Sequence, residues 1–241
     1  MRPWLLALLV TVVPASSLAM RFPAPPPDGL FVVDDAGLLT AGQRNELSAT
    51  ASALFAQEQL ALYVVTLSSL AGYDAAAETI ETYATALFDA WGIGTPDRNA
   101  GMLLVVSVAD RKARIELGGA WGRSHDAEAS EVMRTLIVPA FKRGDFPGGL
   151  QDGVRGMEAM ARGLALPRAR PPAWLWPVVL AVAVGLAALV VSLFRSGKRG
   201  WGWAVLAGVG AVFLYAALRR GGGGGPRGGG SSGGGGATGS W

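Results

Sequence analysis

Five side chains with hard oxygen donors stand where loops would carry them. Asp34 and Asp35 follow a short apolar run, Asp97 and Asn99 precede Gly101, and Asp110 follows the run Met102 to Val108. Calcium takes six to eight oxygens from carboxylates and loop carbonyls. Loops gathered at one edge of an α/β sheet would bring these five into one acidic cleft able to hold a divalent cation. The plainer reading is that Asp and Asn shape turns by bonding their own backbone. Arg111 or Arg114 could clamp a phosphate or a partner's carboxylate bidentately. Arg114 also alternates with Lys112 and Glu116 on one strand face, which argues for a cross-strand ion pair. His125 is the sole histidine and precedes Asp126 at an expected helix start, where the helix dipole disfavours imidazolium. It is a ligand or acid/base candidate, with a solvated cap neighbour as the plainer reading. The turn Gly118-Gly119-Ala120-Trp121-Gly122 allows positive φ and close backbone approach.

What is missing narrows the chemistry. The chain has no Cys, which excludes disulfides, thiolate metal sites, Cys nucleophiles and lipid attachment at a terminal Cys. One His without Cys cannot supply the usual three or four N/S zinc ligands. There is no G-x-S-x-G and no Walker loop, and nothing aims His125 at a particular serine, so the catalytic residues are unknown.

The elements that must position these residues alternate. Leu30 to Val33 is a short apolar run before the turn Asp34-Asp35-Ala36-Gly37. Thr40 with Gln43 three residues on is a capping box opening a helix with Leu47, Leu54 and Phe55 on its buried stripe. Leu60 to Leu67 reads as a strand buried on both faces. Asp74 is expected to cap a second helix, with Ile80, Tyr83, Ala84, Leu87 and Trp91 at helical spacing. Met102 to Val108 is a second buried strand, and Lys112 to Leu117 alternates as an edge or half-exposed strand does. Asp126 opens a third helix toward Phe141, and Phe146 to Leu164 gives a fourth. The order predicts an α/β three-layer sandwich, a central mixed sheet flanked by helices.

The ends place this domain at a membrane. Residues 1–19 read as a secretory signal, with Arg2, an apolar Leu5 to Val13 core and small residues before Met20. Residues 20–29 are a proline-rich lead-in, 30–166 the globular domain and 167–173 a spacer. Residues 174–194 and 201–218 are two apolar spans, joined by a basic turn and flanked by tryptophans. Residues 219–241 are a Gly-rich tail, expected to be disordered. All 18 acidic residues lie between Asp28 and Glu158, while the flanks carry only basic charge. The net charge of +3 therefore averages an acidic globule with basic membrane flanks, and implies a lipid bilayer rather than nucleic acid as partner.

Several linked stretches carry a specific likeness. Val33-Asp34-Asp35-Ala36-Gly37-Leu38-Leu39-Thr40 comes first, then Asn99-Ala100-Gly101 with its apolar strand. Asp110-Arg111-Lys112-Ala113-Arg114-Ile115-Glu116-Leu117-Gly118 and Ile137 to Phe146 follow. In this order they resemble the TPM domain family over about residues 30 to 165, as does the order of signal, domain, spans and glycine-rich tail. The resemblance implies a mixed sheet flanked by helices and binding of a divalent cation, notably calcium, for which Asp34, Asp35, Asp97, Asn99 and Asp110 are the candidates here. It also implies a membrane-protein partner, since relatives serve in photosystem repair or as an auxiliary membrane subunit. Acid phosphatase activity, attributed to plant relatives, is the alternative, and a purely structural membrane protein is a second. The expected placement is the cytoplasmic membrane of a bacterial-type cell, with the domain on the extracytoplasmic side.

Overall fold

The computed structural model describes residues 20–94, 99–167, 175–195 and 235–241. The expected signal (1–19), Asp97, the second span (201–218) and the tail as far as residue 234 lie outside these residues.

Thr40 and Gln43 cap α1 (Ala41–Glu58) reciprocally, each side chain accepting the other's backbone N–H. The capping box thus stands as its spacing predicts. Ahead of it is β1 (Val32–Asp34) and after it β2 (Leu62–Leu67). A 3-10 turn, Leu70–Tyr73, leads to α2 (Ile80–Trp91), then come β3 (Met102–Ser107) and β4 (Lys112–Leu117). Asp74 does not cap α2; it closes the 3-10 turn in a left-handed conformation, φ 57°, and Thr79 is the cap. Asp tolerates that conformation better than most residues, and Thr79 has the extended backbone that a cap requires.

β1, β2 and β3 are parallel and β4 is antiparallel to β3, with Asp34 opposite Thr66, Leu62 opposite Met102 and Met102 opposite Leu117. Alternation in the strands divides two cores. Leu62, Val64, Leu104, Val106 and Ile115 face α1 and the helices after β4. Val65, Leu67, Leu103 and Val105 face α2, where Ile80, Tyr83 and Leu87 meet them. Both faces are covered, which is why these strands read as continuous apolar runs.

The helices after β4 are α3 (Asp126–Val132) and α4 (Val138–Lys142), continuous through a π-helical stretch Met133–Ile137, and then α5 (Phe146–Ala161). Pro139 has no N–H to continue the ladder, and the wide turn lies just before it. Asp145 caps α5 by accepting the Gly148 N–H.

Two expectations are corrected here. β4 is not an edge strand: Ala113 through Leu117 are buried, and the chain's own end lies beside them. Gly235–Ser240 forms β5, antiparallel to β4, with Ile115 opposite Ala237. The sheet order is β1-β2-β3-β4-β5. The end of the tail is therefore ordered, because glycines that pack poorly as a free strand find a ready ladder and an aromatic shelf for Trp241.

A separate unit holds α6 (Leu175–Arg195), 21 residues long. Its Leu175–Ser192 window has mean hydropathy 2.4, and none of that window is buried by protein. At 1.5 Å per residue the helix runs about 30 Å, the thickness of a hydrocarbon core.

Candidate functional site

Three of the candidate carboxylates come together at the C-terminal edge of the parallel strands, where open α/β sheets bind ligands. Asp34 ends β1. Its Oδ1 accepts the Leu38 N–H at 3.0 Å and the Thr66 hydroxyl, and its Oδ2 accepts the Leu39 N–H at 2.9 Å. With most of its acceptor sites occupied, Asp34 shapes the β1–α1 loop, as the turn-forming reading expects. Asp110 lies in the β3–β4 hairpin, where Oδ2 accepts the Leu70 N–H at 2.8 Å and the Ser107 hydroxyl. Asp35 is exposed and accepts the Tyr73 hydroxyl on Oδ2.

Leu70 and Tyr73 are the first and last residues of the 3-10 turn, so one four-residue element is tied to Asp110 at its start and Asp35 at its end. Burial, with the hydrogen bond to Asp35 adding to it, pushes the Tyr73 phenol up to about 12. The lead-in straps this region: Arg21 pairs with Asp74 and accepts the Tyr83 hydroxyl on its carbonyl, and Trp91 Nε1 donates to the Pro23 carbonyl at 3.2 Å.

Arg111 stands at the tip of the same hairpin, exposed, with φ 51°. A left-handed arginine where glycine or asparagine would be easier is a local cost that the loop carries.

Asn99 is elsewhere. It precedes β3, so it lies at the opposite end of the strands, where its carbonyl accepts the Ala120 N–H at 3.1 Å. A Cβ on Gly118 would come within 2.2 Å of that carbonyl, which is why glycine is needed there. The Gly-Gly-Ala-Trp-Gly turn is thus a structural clasp, with Trp121 buried and its Nε1 on the Ala100 carbonyl at 3.1 Å. The five expected ligands therefore do not share one cleft: Asp34, Asp35 and Asp110 share an edge, Asn99 does not, and Asp97 is not described.

Among the described residues no group of three or more His, Asp or Glu side chains is arranged to hold a metal ion. The edge offers Asp35 and one oxygen of Asp110, with loop carbonyls and water to complete a shell. That is no cage of six to eight protein oxygens.

Arg114 is not an anion clamp. It is buried and pairs with Glu116 at 2.9 Å on its own strand, two residues away rather than across strands. Burial raises the Glu116 carboxyl above its ordinary value against the opposing pull of Arg114, and Thr85 bonds to it. Glu81, Thr85 and Asp89, at helical spacing on α2, form the polar stripe that lets an alternating charged strand lie inside. His125 packs edge-on against Trp121 with ring centroids 4.9 Å apart, and its Nδ1 lies 2.9 Å from the Trp121 carbonyl. It closes a turn before α3, and the serine at its Nδ1 is its neighbour Ser124, whose Oγ lies 3.1 Å away and also donates to the Trp121 carbonyl at 3.1 Å.

The edge and the two-faced mixed sheet define an α/β domain whose strand-end loops carry Asp35, Asp110 and Arg111. The chain belongs to the TPM domain family, which its residues 32–160 match. A 160-residue stretch is 28% identical to the UPF0603 protein Rv2345 of Mycobacterium tuberculosis strain H37Rv and to the UPF0603 protein MT2410 of strain CDC 1551 / Oshkosh. That stretch covers 64% of this chain and 22% of each relative, so the chain spans under a quarter of the relatives it matches. Among solved structures it is similar to the N-terminal domain of a P. gingivalis protein, at 27% identity and TM-score 0.49, covering 58% of this chain and 87% of that one. It is also similar to the N-terminal domain of cg2496 from Corynebacterium glutamicum, at 18% identity and TM-score 0.44, covering 66% and 97%.

Proposed function

We propose that this chain is a membrane-anchored TPM domain on the extracytoplasmic side that binds other membrane proteins and assists their assembly or maintenance. Its docking surface is the sheet edge bearing Asp35, Asp110 and Arg111, and a weakly held divalent cation, calcium, takes part there. The observation that carries this reading is the 3-10 turn tied to both Asp35 and Asp110 beside a strained, exposed Arg111. Such an edge presents fixed charge without a nucleophile and base in register, which suits recognition better than turnover. With two carboxylates as ligands, calcium affinity belongs in the ~10⁻⁴–10⁻³ M range of extracellular modules.

Anchoring draws on α6, and its sidedness on β5. A chain that leaves the domain at residue 167 and returns to the same sheet at residue 235 crosses a bilayer an even number of times. The apolar stretch 201–218 supplies the second crossing, and the expected signal at 1–19 sets the domain outside. Tethering to the bilayer raises the effective concentration of a membrane partner, so a small edge suffices.

Photo-crosslinking in native membranes tests this. A photoreactive residue at Ala36 should give a discrete adduct with an integral membrane protein, weakened by chelator and by Asp35→Ala. No adduct, or one indifferent to both, would leave the purely structural alternative. Phosphomonoester turnover by the purified chain, abolished by Asp35→Ala with the fold intact, would instead establish the phosphatase alternative.

A further inference from the structure

β5 is made almost entirely of glycine and small residues, Gly-Gly-Ala-Thr-Gly-Ser, yet it is held along its whole length. Glycine weakens a strand through backbone entropy and lack of packing, so the surroundings must supply the hold. Gly236 has φ 136°, its N–H donates to Asp126 Oδ1 at 2.7 Å, and a Cβ there would meet the Ile115 carbonyl at 2.0 Å. At Gly239 a Cβ would sit 2.6 Å from both Met133 and Val138, which the π-helical stretch and the start of α4 press onto the strand. On the other face Arg114 donates to the Thr238 hydroxyl and the Gly235 carbonyl, both at 3.4 Å. Trp241 donates its N–H to the Arg111 carbonyl and packs its ring edge-on against Phe141 and Phe146, at 4.7 and 5.9 Å. The site thus reads a spacing: glycine, then glycine three residues on, then tryptophan two further.

The family match ends at residue 160, and β5 lies outside it, reached through a long glycine-rich stretch. We infer that the β4 edge, with Asp126, the Met133–Val138 shelf and the Phe141–Phe146 pair, is a strand-accepting peptide site. Its ligand is the chain's own segment Gly235–Trp241, delivered in cis. The recognition mode is β-augmentation: main-chain bonds give affinity, and the two glycine positions and the aromatic pocket give specificity. The glycine-rich tether supplies effective concentration to a ligand that by itself buries little apolar surface.

The 241-residue chain contains no Cys, so a Lys112→Cys/Ser240→Cys pair in detergent or native membranes reads the docking directly. Directly opposed strand residues are close enough for a disulfide. Mild oxidation should give an internally crosslinked monomer. Adding Gly239→Val should slow crosslinking by about tenfold or more, in line with the loss of a well-packed contact, while the remaining helices keep their circular dichroism. Crosslinked dimers would put a second copy's tail in the groove and overturn delivery in cis. Crosslinking indifferent to Gly239→Val would overturn the site's selectivity. A chain shortened before Gly235 should bind a fluorescent Gly-Gly-Ala-Thr-Gly-Ser-Trp peptide saturably. Binding by a scrambled peptide equally well would overturn the inference. None of these readouts depends on calcium or on a membrane partner.

Discussion

Trp241 meets Phe141 edge-on, with ring centroids 4.7 Å apart and planes at 68°. The contact joins the far end of the chain to the last turn of a helix some hundred residues earlier, and closes the sheet at β5. Edge-to-face pairs add about 0.5–1.5 kcal/mol beyond area burial. Trp241→Ala should therefore lower stability by about 1–3 kcal/mol, read as a lower melting temperature in detergent, with Trp241→Phe recovering part of it.

The buried Arg114–Glu116 pair should be costly to break from one side. Arg114→Ala leaves a buried carboxylate without its partner, and a loss of about 3–5 kcal/mol is expected. The double replacement Arg114→Met with Glu116→Leu should cost much less. A thermal melt of the two variants beside the parent separates a stabilising pair from a specifying one.

Glu81 links the acid stability of the domain to β5. Burial alone would raise its carboxyl, but hydrogen bonds from Thr238, its own backbone and Thr79, with Arg114 nearby, hold it below the ordinary 4.5. A carboxyl lowered by folding adds stability above its unfolded value, and that stability is lost as pH falls through its folded value. Thr238→Val should bring the Glu81 titration back upward in carbon-detected NMR and shift acid unfolding to higher pH. An unchanged Glu81 titration would deny the bond from β5.

Arg111→Gly should act in opposite directions on stability and binding. Relief of the left-handed arginine predicts a stability unchanged or higher by about 0.5–1 kcal/mol, read as an unchanged or slightly higher melting temperature, together with loss of the crosslinked adduct. A variant that melts lower would show that the arginine serves the fold instead.

Single cysteines in the Cys-free chain test sidedness. Ala77→Cys, on an exposed loop of the domain, and Ser240→Cys, on β5, should react alike with an impermeant maleimide in intact cells. Ser196→Cys, in the basic stretch between the apolar runs, should be protected until the cells are opened. Labelling of Ser196→Cys before opening would contradict the two-crossing arrangement.

Much of the fold is legible in the sequence because local signals and tertiary need agree. The Thr40–Gln43 box, the apolar runs of β2 and β3 and the α2 stripe from Ile80 to Leu87 each carry their own period. What is not legible depends on partners distant in sequence. Lys112 to Leu117 looks like an edge because its charges alternate, and only the α2 stripe and β5, more than a hundred residues on, make Arg114 and Glu116 internal. The tail looks like a tether because glycine has almost no strand propensity, and nothing local announces Asp126 or Met133 as its receivers. The candidate ligands are half legible. Asp35 and Asp110 reach the same edge, whereas Asn99 belongs to the other end of β3, a separation that loop composition does not encode.

Calorimetric titration of the detergent-solubilised chain with calcium tests most directly whether the Asp35–Asp110 edge is a cation-assisted binding surface. The expected result is saturable binding with a dissociation constant of about 10⁻⁴–10⁻³ M. Binding should be lost in Asp35→Asn and weakened in Asp110→Asn, while both variants stay within about 1 kcal/mol of the parent's stability. Absence of heat at calcium well above that range, or binding that both variants retain, would contradict it.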